Sequence, residues 1–160
     1  MLIGLDPLLN GDVLGILRDM GHGDSVVLAD ANFPAHYLGP PAVRIDCDVV
    51  RAGRAVLSVM PLDGFVDAPV RHMEADGRGR EPNEAHRDFA AMIAEVAGAW
   101  TVGSIERFRF YEEARGCVAV FATQETRPYA NFILTKGVIA PDGSVVRPER
   151  PVKRPRGLRP

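Results

Sequence analysis

Over residues 1–140, stretches with apolar residues three and four apart alternate with short runs of Val, Ile, Phe and Ala. The first pattern buries a stripe when it coils as a helix; the second suits a strand covered on both faces. Their alternation points to an α/β fold with helices layered on a central sheet. In Asp12–Met20 the residues Val13, Ile16, Leu17 and Met20 share one helical face, and Gly21 and Gly23 stop the helix. Further helices are predicted over 49–60, ended by Pro61, over 82–97, with Phe89, Ile93 and Val96 inward, and over 106–115. Strands are predicted over 25–29, 43–45, 70–75, 118–123 and 132–135. Pro34, Gly39, Pro40 and Pro41 make the stretch after residue 30 a loop.

Residues 141–160 break the pattern. They hold five prolines and six Arg or Lys against Asp142 and Glu149. Such a stretch packs no core, so a single domain is predicted over 1–140, followed by an extended, basic 141–160 extension. That extension is read as a solvated strip, with docking on a neighbouring subunit or an acidic partner as the other reading. The whole chain of 160 residues carries a formal charge of −2, which argues against general nucleic-acid binding, where a large positive surplus is needed. No run of 18 uncharged apolar residues offers a membrane span. The first residues lack a basic leader, and Cys47 and Cys117 lie far apart, which predicts reduced thiols in a cytoplasmic protein.

Three places carry candidate chemistry. His22 stands between glycines in Met20-Gly-His-Gly-Asp24, where a small ligand could approach an uncovered imidazole suited to proton transfer near neutral pH. The plain alternative is a surface histidine in a turn. Asp30 ends the 25–29 strand, the place where ligands bind in α/β sheets. It could share a rim with His22 and orient the imidazole, or merely cap the following loop. In Arg127-Pro-Tyr-Ala-Asn131, Tyr129 and Asn131 are two apart in a potentially extended segment and could offer donors and acceptors to a polyhydroxylated ligand, or only form a turn. Arg107 opens an aromatic helix and reads by default as a surface residue. His22 and His36 with Asp24 or Asp30 lack metal-ligand spacing, Gly21-His-Gly lacks that of a phosphate loop, and Asp48, Asp63 and Asp67 suggest no role.

Taken together, Gly21-His-Gly-Asp24, Asp30-Ala-Asn-Phe-Pro-Ala-His36, Arg107-Phe-x-Phe-Tyr111 and Tyr129-x-Asn131-x-x-Leu134-x-Lys136-Gly137 resemble the fucose mutarotase and ribose pyranase family (RbsD/FucU), closer to its fucose branch. The resemblance spans about residues 1–140. It implies a layered α/β/α fold with a central mixed sheet, and rings of identical subunits, often decamers, with pockets near subunit boundaries. It implies His22 as proton donor, with Asp30, Arg107, Tyr129 and Asn131 as sugar contacts. Residue 32 is Asn, where some relatives carry a second histidine. The implied activity is exchange of L-fucose anomers without metal or cofactor. The alternatives are a ribose pyranase, a non-catalytic sugar-binding module, and a subunit that serves mainly ring assembly.

Overall fold

A computed structural model describes residues 2–147. Four helices, α1 (Gly11–Asp19), α2 (Val49–Leu57), α3 (Glu84–Val96) and α4 (Arg107–Ala114), accompany six strands. These are β1 (Ser25–Ala29), β2 (Ala42–Arg44), β3 (Val70–Met73), β4 (Val102–Ile105), β5 (Ala119–Ala122) and β6 (Phe132–Thr135). They form one mixed sheet in the order β2-β5-β1-β6-β3-β4. Within it, β6 runs against both neighbours while the β2/β5, β5/β1 and β3/β4 pairs are parallel.

The central strands β1, β5 and β6 are buried on both faces, and successive residues divide between two cores as the pleat requires. Val26 and Leu28 of β1, with Phe132 and Leu134 of β6, meet α1, α2 and α3 on one side. Val27, Ala29 and Ile133 meet Phe110 of α4 and Phe33 of the 30–41 loop on the other. The helices layered on a central sheet that the pattern predicts, and the α/β/α arrangement that the resemblance implies, are what the chain builds. Phe89 of α3 stacks on Phe132 at 3.9 Å, and burying a ring of that size contributes about 2–3 kcal/mol.

Polar residues set the helix ends. Asn10 caps α1 by accepting from the Val13 amide at 2.9 Å, ahead of the predicted start at Asp12. Asp48, given no role above, caps α2 through the Arg51 amide. Asn83 caps α3, which begins two residues after Pro82, and Glu106 caps α4. The helix read as 49–60 ends at Leu57, three residues short of that reading. β4 was not anticipated: Gly103 and Ser104 weaken its pattern, and pairing with β3 makes it a strand.

The first residues of the predicted extension turn back on the domain. Ile139 pairs with Val145 across a turn at Gly143, and Arg147 lies 4.1 Å over the Trp100 ring while donating to the Ala97 and Ala99 carbonyls beyond α3. A cation at a helix C-terminus satisfies orphan carbonyls and the helix dipole together. The rest of the extension, 148–160, lies outside the described residues.

Candidate active site

The carboxyl ends of β1, β3 and β4 and the start of the antiparallel β6 meet at one edge of the sheet, where α/β folds open their crevices. A cleft of about 210 Å³ opens there, and its walls include Asp30, Arg107, Tyr129 and Asn131 together with Phe33 and Met73. Pockets for drug-sized ligands begin near about 300 Å³, so this one suits something smaller.

Asp30 follows the last residue of β1 and Asn131 precedes β6, so sheet pairing brings them side by side. The Asn131 amide donates to Asp30 Oδ2 at 2.9 Å, and Asn131 Oδ1 accepts from the Asp30 backbone at 2.9 Å. Asp30 Oδ1 accepts from the Asn32 amide at 2.9 Å. Both side chains are buried. Burial pushes the Asp30 carboxyl above its ordinary value, while the Asn32 and Asn131 hydrogen bonds pull the other way. A carboxyl so placed can accept from a ligand hydroxyl or exchange a proton with it.

Arg107 is the first residue of α4, a place the helix dipole disfavours for a cation. It stays because Asp76 takes Nη1 at 2.6 Å and because it faces the cleft; its buried Nε has no hydrogen-bond partner among the described residues. Tyr129 reaches the cleft from a left-handed backbone with φ 62, a rare setting for a residue with a Cβ.

His22 lies elsewhere. It sits in the turn between α1 and β1, at the opposite end of β1 from Asp30. Four steps of strand at about 3.3 Å each put roughly 13 Å between those ends. The shared rim expected of His22 and Asp30 is thus not formed within one chain, because the short strand separates them instead of folding them together. The partner of His22 is Asp63: Nε2 lies 3.1 Å from Asp63 Oδ1, and the Phe65 ring is 5.2 Å from the imidazole. A carboxylate can only accept, so Nε2 carries a hydrogen, and in the neutral ring Nδ1 keeps the lone pair. The Asp63 side chain is 0% exposed and that of His22 is 42% exposed, which leaves the imidazole open to a ligand from outside. Asp63 Oδ1 also accepts from the Phe65 amide at 2.9 Å, while Oδ2 meets no donor among the described residues.

The turn is fixed from three sides. Lys136 Nζ donates to the Leu17 and Met20 carbonyls at the end of α1, the Gly23 amide donates to the Lys136 carbonyl at 2.9 Å, and the Gly21 amide donates to Asp24. At Gly137 a Cβ would stand 2.2 Å from the Leu62 carbonyl oxygen, so only glycine lets the Asp63 backbone lie against the end of β6. Nothing in the spacing of Asp63 announced this pairing. The glycine in Lys136-Gly137 was the one local sign of a close approach. Among the described residues no three His, Cys, Asp or Glu side chains gather as metal ligands.

The family model of the RbsD / FucU transport protein family matches residues 3–139. The chain is 39% identical to an L-fucose mutarotase of Haemophilus influenzae over 142 residues, covering 86% of this chain and 97% of that one. It is 38% identical to a human fucose mutarotase, covering 87% and 95%. Among solved structures it is similar to a Streptococcus pneumoniae fucose mutarotase in complex with L-fucose, with TM-score 0.80 and 34% identity over 87% of this chain and all 100% of the other. The chain belongs to the RbsD/FucU family.

Proposed function

We propose that this chain is an isomerase that interconverts the α and β anomers of L-fucose, and that each working site is shared by two copies. The observation that carries this reading is the convergence of Asp30, Arg107, Tyr129 and Asn131 on one small cleft beside an apolar wall. A polyol with one methyl group needs that mixture of charge, amide, phenol and hydrocarbon. The names of the relatives favour fucose as the sugar.

Anomers exchange when a proton reaches the ring oxygen and another leaves the anomeric hydroxyl, the ring opens, C1 turns about C1–C2, and the ring closes on the other face. Protons move between oxygens of one molecule, so the chemistry itself requires no redox or group-transfer cofactor. Positioned acids and bases contribute about 10²–10⁴-fold to such steps. In this reading His22 moves the proton through Nδ1, Asp63 steadies the imidazolium, and Asp30 and Asn131 hold hydroxyls near the anomeric centre. Arg107 binds a further hydroxyl, and Tyr129 binds or relays.

A monosaccharide cannot span the length of β1, so His22 must act on sugar held in the cleft of another copy. Each chain carries the two halves at opposite ends, which makes the contact head-to-tail; such contacts close into rings when the rotation allows. Exposed Tyr37 and Phe108, close to Tyr111 at the cleft wall, offer apolar surface for that neighbour. A cytoplasmic setting accords with two free thiols, both pushed up by burial, Cys47 to about 11 and Cys117 to about 12. No helix among the described residues is long and apolar enough to cross a membrane.

Saturation-transfer NMR of L-fucose tests the activity. Added protein should speed anomer exchange and His22→Ala should remove most of the gain; an undiminished rate in that variant takes His22 out of the mechanism. The same measurement on D-ribose distinguishes a pyranase. Binding by calorimetry without faster exchange would mean a sugar-binding module.

A further inference from the structure

We propose that His86, in the first turn of α3, is the positioning residue that sets Tyr129 for the sugar by holding its carbonyl while the backbone is left-handed. The proposal rests on the reading of Tyr129 as a sugar contact given above. Among the described residues Tyr129 is the one non-glycine with positive φ. Such a conformation crowds the Cβ and persists only where the surroundings impose it.

Helix α3 and its cap hold three consecutive residues there. Asp88 takes Nη1 of Arg127 at 2.6 Å, Asn83 Nδ2 donates to the Pro128 carbonyl at 3.2 Å, and His86 Nε2 stands 2.8 Å from the Tyr129 carbonyl. The tautomer follows from the other nitrogen. The Asn83 backbone amide donates to His86 Nδ1 at 3.1 Å, so Nδ1 holds the lone pair and Nε2 the hydrogen given to Tyr129. His86 is 1% exposed, stacked on His72 at 3.9 Å and edge-on to Phe132 at 5.7 Å, so its ring has one orientation. Burial lowers its pKa to about 4, which keeps the ring neutral and both bonds intact near neutrality.

A helix cap alone needs only the Nδ1 bond. The second bond goes to the strained residue that walls the cleft, and the two functions can be divided by substitution. Asparagine at 86 places an acceptor where Nδ1 stands and reaches nothing at Tyr129. Glutamine places an amide nitrogen where Nε2 stands and gives up the cap. In crystals of the full chain, His86→Gln should keep φ at 129 near its present value and His86→Asn should lose it. With L-fucose, His86→Asn should raise KM about tenfold with kcat little changed, the loss of one positioning bond. His86→Gln should hold KM within about twofold while melting lower, the loss of a cap.

A left-handed residue 129 and an unchanged KM in His86→Asn would overturn the proposal, as would KM rising in both variants in step with lost stability. Should the wild-type chain fail to accelerate fucose exchange, the functional reading falls separately, and φ at 129 in the two variants still decides whether His86 does the holding.

Discussion

Among the described residues no donor reaches Asp63 Oδ2, a buried acceptor beside an imidazole that is open to solvent. A buried polar atom left unpaired by the protein is costly. Its neighbour Oδ1 meets both His22 and the Phe65 amide. Asp63→Asn keeps an acceptor at Oδ1 and removes only the charge that steadies the imidazolium. It also trades one unpaired atom for another, so stability should barely move. We predict catalysed fucose exchange to fall roughly ten- to a hundredfold with KM and melting temperature near wild type. Exchange at the wild-type rate would leave Asp63 a structural role alone.

At the scale of elements, the end of β6 fixes the turn that carries His22. Lys136 ties the end of α1, and Gly137 admits the Leu62–Asp63 backbone. Gly137→Ala forces backbone apart, because the atoms a Cβ would meet belong to the main chain, not to a flexible side-chain tip. It should cost about 1–3 kcal/mol in denaturant unfolding and weaken fucose exchange by moving Asp63 from His22; an unchanged unfolding midpoint would refute that. The same elements show what a sequence reveals. The period of α1 and the apolar run of β1 were readable because local pattern and tertiary burial agree there. β4 was not, since Val-Gly-Ser-Ile becomes a strand through pairing with β3. Asp30, Arg107, Tyr129 and Asn131 came from their motifs and lie on one cleft. Asp63 could not be found, because 41 residues separate it from His22 and only the fold closes that distance.

At the scale of the molecule, two stacked histidines make stability depend on pH. Burial lowers His86 to about 4 and lowers His72 as well, against 6.5 for the free side chain. Below about 6.5 the unfolded chain takes up protons that the folded chain refuses. Stability is therefore whole above that value and is lost as pH falls toward 4. The raised carboxyl of Asp30 acts in the opposite sense, nearer its own lower range. Denaturant unfolding between pH 6 and 5 should show a loss of about 1 kcal/mol per pH unit; a flat profile would mean the pair is solvated.

The shared site is the central claim, and mixing two inactive variants tests it. His22→Ala keeps the cleft, and Asn131→Ala keeps the His22–Asp63 pair. Co-expressed, the two chains should restore L-fucose anomer exchange to about a quarter of the wild-type rate, since random head-to-tail pairing joins two intact halves in that share of sites. Exchange no greater than that of the separate variants would contradict a site built from two copies.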